Sequence, residues 1–151
     1  MKNEIYSPHK SSIGGLNANV MALICYLASI PLGWIPLVRY VAWLAPLALF
    51  LLEKQSKFVK FHAMQSFLLH MVSAVLSFLV SVVLSGILGV GSLSAAAYYA
   101  AAGLAGIIGL LTTVISLVIL VCAIISMVGA YKYKETHIPI IGDIAQRIAL
   151  K

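Results

Sequence analysis

Residues 53–66 read EKQSKFVKFHAMQS, from Glu53 to Ser66, and this polar interruption decides how the rest of the chain is read. It separates two blocks that are almost pure hydrocarbon. Of 151 residues, 62% are hydrophobic and 9% are charged. Soluble domains average roughly 45–50% apolar and about 25% charged. So few charges cannot cover the surface of a small globule, so the expected solvent is lipid.

Nine of the ten basic residues occupy the flanks of the apolar blocks. Lys2 and Lys10 precede the first, Lys54, Lys57 and Lys60 fall between blocks, and Lys132, Lys134, Arg147 and Lys151 follow the last. The net charge of +6 therefore reads as topogenic charge and excludes nucleic acid as the expected partner. Cys25 and Cys122 each lie inside an apolar segment with no Cys or His at ligand spacing, so no metal motif is present in the sequence.

Working outward, residues 1–15 are polar and rich in Gly, Ser and Pro, and are expected to form a flexible cytoplasmic tail. The block 16–52 is too long for one span. Pro31, Gly33 and Pro36 predict a hairpin that divides it into 16–32 and 35–52. Lys2 and Lys10 before an apolar run resemble a secretory signal, but the run continues into a second block, as an uncleaved first span would. Arg39 lies just past the hairpin, with Trp34, Tyr40 and Trp43 at the same level, as in an interfacial aromatic belt. Pro46 predicts a kink in the second segment.

After the interruption, 61–90 and 101–130 are expected to be two long spans of about 43 Å each. A loop from Ser92 to about Ala97 joins them. Long helices of that length must tilt in a bilayer. The residues predict an all-α, polytopic four-helix transmembrane bundle with two short and two long spans. Nine of the ten basic residues then fall on one side, which places both termini in the cytoplasm of a multi-pass cell-membrane protein.

Small residues mark the long helices. Ser73, Ser77, Ser81, Ser85 and Gly89 recur every four residues, and Gly106, Gly109, Thr113, Ser116 and Ala123 follow at similar steps. Such rows let helices pack closely, within the chain or in a homo-oligomer. In the tail 131–151, Ile141, Ile144, Ala145 and Ile148 take one face of a short amphipathic helix expected at the inner membrane surface.

The candidate functional residues surround the interruption. Lys54, Lys57 and Lys60 recur every three residues, a face suited to anionic inner-leaflet lipid or a protein partner. His62, Gln65, Ser66 and His70 fall within about 140° of helical arc and carry polarity into the third span. A polar stripe avoids lipid, so it should face protein or a watery crevice. Asn17 and Asn19 begin the first span at the same level and are candidate hydrogen-bond partners. His9 and His137 read as exposed bystanders. Glu4, Glu53, Glu135 and Asp143 are the only carboxylates, and no nucleotide loop, zinc motif or nucleophile elbow accompanies them. No catalytic residue and no cofactor is expected.

The run Leu16-Asn-Ala-Asn-Val-Met-Ala-Leu-Ile-Cys-Tyr-Leu27, the hairpin, and Phe61-His-Ala-Met-Gln-Ser66 behind a lysine resemble the small four-span bacterial and archaeal membrane proteins grouped with the chloroplast import component Tic-twenty. The magnetosome proteins MamF and MmsF are similar. The ending Ile138-Pro-Ile-Ile-Gly142 shares the resemblance, which covers residues 16–148. It implies four helices, cytoplasmic ends and a role in a membrane complex. Two functions follow as expectations: a scaffold or complex subunit, and a small channel or carrier-like oligomer with a His-lined vestibule.

Overall fold

The computed structural model describes residues 4–91 and 94–149. Lys2, Lys151, Ser92 and the junction beside it lie outside the described residues. The described residues form helices α1 (Ala18–Leu27), α2 (Ser29–Leu32), α3 (Ala45–Leu52), α4 (Lys57–Gly91), α5 (Ala95–Tyr131) and α6 (Ile141–Ala149). Two short 3₁₀ turns, Val38–Tyr40 and Ala42–Leu44, precede α3. Among the described residues there is no strand, only the isolated bridges Ile5 to Lys134 and Lys10 to Asn17. The chain divides into two units, Met1–Met71 with Val121–Lys151, and Val72–Leu120.

The first unit has a protein-like core. In α1 the buried residues are Ala18, Met21, Ala22, Cys25 and Tyr26, at spacings of three and four that define one helix face. Small Ala18, Ala22 and Cys25 pack with Phe58, Val59 and Ala63 of α4 and Ala130 of α5. A second cluster joins Phe61 and Met64 of α4 to Ala145 and Ala149 of α6, flanked by Leu47, Phe50, Phe67 and Leu68.

Three local expectations are revised. Residues 35–52 are not one helix: the chain turns at Leu37, whose φ of 68° is left-handed, and only 45–52 is α-helical. Pro46 sits in the first turn of α3, where its missing N–H costs nothing, so it starts the helix instead of kinking it. Residues 4–15 are packed: Tyr6 N–H bonds the Tyr133 carbonyl at 2.9 Å, and Ser11 is buried. The expected short helix in the tail forms as α6; Gly142, Ala145 and Ala149 are its buried side, and Ile144 and Ile148 stay exposed.

Ala18–Leu32 is 15 residues and Ala42–Leu52 falls in the same short class. A helix of 15 residues rises about 22 Å, below the roughly 20 residues a crossing requires. Two helices are long and apolar enough to cross, Lys57–Gly89 and Ala95–Tyr131. Only 11% and 0% of their most apolar windows are buried inside the protein.

In the second unit Val75, Phe78, Leu79, Leu110, Leu111, Val114 and Val118 are all exposed. A helix that is apolar on every side and uncovered belongs in a bilayer. Several of its hydroxyls bond within their own helix. Ser81 and Ser85 donate to the Ser77 and Ser81 carbonyls at 2.7 Å, and Thr113 to the Gly109 carbonyl at 2.9 Å. That is the requirement hydrocarbon imposes on polar groups. Ser73 and Gly89 lie on the same row as these serines. A Cβ added at Gly86, Gly106 or Gly109 would meet nothing within 4 Å, so the close approach expected at Gly106 and Gly109 is not made there.

Candidate functional site

The start of α4 is organised by Glu53. Ser56 Oγ accepts from Val59 N–H at 3.1 Å and caps the helix. Glu53 Oε1 accepts from Ser12 N–H at 3.1 Å, the Ser12 hydroxyl at 2.6 Å, and the Gln55 and Ser56 N–H groups at 3.0 Å each. The Ser11 hydroxyl donates to Oε2. Burial alone would raise this carboxyl, but the donors from Ser11, Ser12, Ser56 and Gln55 overcome it and hold it at about 2.

The fall from 4.5 to about 2 is worth on the order of 3 kcal/mol. A depressed carboxyl stabilises the fold fully above its unfolded value and loses that contribution as pH falls through the folded one. Unfolding of detergent-solubilised protein should therefore become easier between pH 4.5 and about 2. Glu53→Gln should be less stable at neutral pH and show a flatter acid limb, measured by circular dichroism.

One to three turns further on, the predicted stripe turns inward. Phe61, His62, Ala63, Gln65 and Ser66 are each fully buried. Gln65 is the junction. Its Nε2 lies 3.0 Å from Tyr26 Oη, 3.2 Å from Ser126 Oγ and 3.0 Å from the Thr136 carbonyl, and its Oε1 accepts from Ile138 N–H at 3.3 Å. One side chain thus ties α4 to α1, to α5 and to the segment before α6. Tyr26 Oη, accepting from Gln65, is also within hydrogen-bond distance of His62 Nδ1 at 3.1 Å. His62 Nε2 is buried without a hydrogen bond of good geometry. Ser66 donates at 2.7 Å to the Cys25 carbonyl, one of the last-turn acceptors that α1 leaves unused.

The other candidates are placed differently. His70 is half-buried, its Nδ1 2.8 Å from the Ser66 carbonyl one turn back. Asn17 and Asn19 do not reach His62 or Gln65. Asn19 donates to the Tyr131 carbonyl at 3.2 Å, and Asn17 precedes α1 without a side-chain cap. Lys54 and Lys57 are exposed and Lys60 is half-buried.

Neither histidine read as a bystander is one. His9 Nε2 is 2.7 Å from Ser56 Oγ, with the Phe58 and Tyr133 rings beside it. His137 is buried against Phe61, its ring nitrogens 3.7 Å from Glu135 Oε2 and 3.4 Å from Asp143 Oδ1. These are close approaches without hydrogen-bond geometry. Glu135 accepts from the Tyr6 hydroxyl at 2.8 Å. Burial raises the Glu135 carboxyl, against the Tyr6 bond and His137; burial and Glu135 together raise the Tyr6 phenol.

Tyr26 and Ser126 were not singled out in the sequence. Their only signal is a lone hydroxyl inside an apolar run. Two glycines complete the packing. A Cβ at Gly142 would fall 2.8 Å from the His137 Cα and 3.0 Å from Gln65 Oε1, and one at Gly129 would fall 1.9 Å from Thr136 Oγ1. The Ile138–Gly142 ending therefore closes over Gln65 because Gly142 lacks a side chain.

Two long uncovered apolar helices, carried by a helical unit that hides its polar residues, define a helical membrane protein. The chain belongs to the magnetosome magnetite crystal formation protein family, whose profile matches residues 17–145. It is similar to two proteins of Methanocaldococcus jannaschii. UPF0132 membrane protein MJ1443 is 30% identical over 138 residues, covering 91% of this chain and 93% of that protein. UPF0132 membrane protein MJ1527 is 28% identical over 133 residues, covering 88% of this chain and 71% of that protein. No solved structure matches.

Proposed function

We propose that this protein is a membrane scaffold or complex subunit without enzymatic activity, docking its partner through the lysines at the start of α4. The observation that carries this reading is the use of the polar stripe. His62, Gln65 and Ser66 are consumed in joining α1, α4, α5 and the C-terminal segment, while Lys54 and Lys57 remain exposed. Two of the four carboxylates are likewise engaged internally, Glu53 by Ser11 and Ser12 and Glu135 by Tyr6, while Glu4 and Asp143 stay exposed.

The N-terminal segment contacts the 53–56 turn and the segment after α5. Chain segments that meet at one end of a unit are joined by even numbers of crossings. With Lys10, Lys54, Lys57, Lys132 and Lys134 along these segments, we place that end in the cytoplasm, facing anionic lipid. On this reading α4 and α5 cross the membrane, and the short segments 16–32 and 35–52 enter it as a hairpin. Cysteine labelling at positions 10 and 134 in intact cells should be blocked, and labelling at either from outside overturns the orientation.

A photo-crosslinker at position 54 or 57 in native membranes should capture a discrete, stoichiometric protein. Recovery of lipid alone overturns partner docking. The channel reading requires His62 at a wet surface, and its full burial favours the scaffold. Liposomes containing the protein should stay proton-tight at every pH; a pH-dependent flux abolished by His62→Ala would establish the channel instead.

A further inference from the structure

The turn between α2 and α3 carries side chains that water would not retain. Trp34 is 83% exposed, Leu37 82% and Tyr40 65%. With Gly33, Pro36 and Arg39 these residues line a cavity of about 310 Å³. Leu37, at φ 68° and ψ −46°, is the centre of a γ-turn closed by Val38 N–H on the Pro36 carbonyl at 2.9 Å, a strained conformation that here leaves an apolar side chain exposed. Arg39 is held at the cavity. Its Nη2 donates to Tyr40 Oη at 2.9 Å, and its Cζ lies 4.9 Å from the Tyr40 ring centroid. Arg39 is exposed, and no acidic side chain among the described residues pairs with it.

Length supplies the occupant. Ala18–Leu32 carries the chain from the polar end of its unit to this turn. Fifteen residues rise about 22 Å, while the hydrocarbon core is about 30 Å thick. A helix pair that enters from one headgroup layer therefore stops short of the other. Arg39 can extend over part of the gap, and the rest is closed when the bilayer thins and a headgroup descends. A guanidinium at that depth needs an anion, and phosphate matches its planar fork.

We propose that the 33–40 turn is a lipid-phosphate site: Arg39, steadied by Tyr40, takes the phosphodiester of a membrane phospholipid, and Trp34 and Leu37 enter the acyl boundary around it. The site thins the bilayer locally and anchors the short hairpin. It takes either anionic or zwitterionic phospholipid, because the phosphodiester is common to both.

The chain has only two arginines, Arg39 and Arg147, so an Arg147→Lys variant labelled with ¹³C-guanidino arginine reports Arg39 alone. In phospholipid bilayers free of inorganic phosphate, ¹³C–³¹P solid-state NMR should show the strong dephasing of a direct contact, with N–H to oxygen distances of about 2.7–2.9 Å. In a Trp43→Phe variant, which keeps the stacking of residue 43 on Phe67, Trp34 fluorescence should be quenched by lipids brominated near the glycerol and little by aqueous iodide. Absence of dephasing overturns the proposal whatever Trp34 does. Dephasing that arises only after inorganic phosphate is added overturns the lipid as its source. Strong iodide quenching with weak bromolipid quenching overturns the anchor.

Discussion

Gln65→Leu should be the most damaging single substitution in this protein, lowering stability by about 3–5 kcal/mol. Leucine fills a similar volume, so the loss comes from polarity and not from a cavity. It strands the Ile138 N–H and removes the two amide hydrogens that Gln65 offers among the Thr136 carbonyl, Tyr26 and Ser126, all at buried or half-buried positions. Each buried group left without a partner costs about 1–3 kcal/mol. The measurement is reversible unfolding in mixed micelles followed by circular dichroism. Pairing Gln65→Leu with Ser126→Ala should recover part of the cost, because the orphaned hydroxyl is then gone. A variant within 1 kcal/mol of the parent in the same assay would mean that Gln65 is not the junction.

Gly142→Ala should rank second and act locally. The added Cβ falls 2.8 Å from both the Cα and the Cβ of His137, so backbone must move. Overpacking of this kind costs about 1–3 kcal/mol. The buried face of α6 is Gly142, Ala145 and Ala149, so its retreat should expose the tail to protease while the long helices keep their signal. Limited proteolysis should then remove the C-terminal residues faster from the variant than from the parent. Gly129→Ala places its Cβ against the Thr136 side chain, which can rotate, so a smaller effect is expected there.

These two residues divide what was legible from what was not. The stripe His62, Gln65, Ser66 and His70 follows from helical spacing alone, and the cost of polarity in lipid predicts that it avoids lipid; the first three are buried and His70 is half-buried. The structure brings those three together. It could not be read that Gln65 meets Ser126, 61 residues away, or Thr136, 71 away. Both partners lie far along the chain, and one of them is a backbone carbonyl that no side-chain pattern marks. Asn17 and Asn19 were the nearest polar groups by level, yet helix rotation sends Asn19 to Tyr131 instead. In α6 the isoleucine row was legible from period, and only packing shows that Gly142, Ala145 and Ala149 form the buried side.

Glu53 makes the same point about charge. In the sequence it is one acid beside three lysines, and in the structure its carboxylate holds the N-terminal segment through Ser11 and Ser12.

By itself, the sequence determined the solvent of this protein, its all-helical class, the two long apolar helices and the inward turn of the 62–66 stripe. Composition and period are local or summed quantities, and lipid punishes exceptions to them heavily. Only the tertiary structure decided that 35–52 is broken, that residues 4–15 are docked, and that Gln65 is the knot. Those outcomes depend on which donors and acceptors meet across distant segments, and a buried hydrogen bond is chosen by geometry in three dimensions.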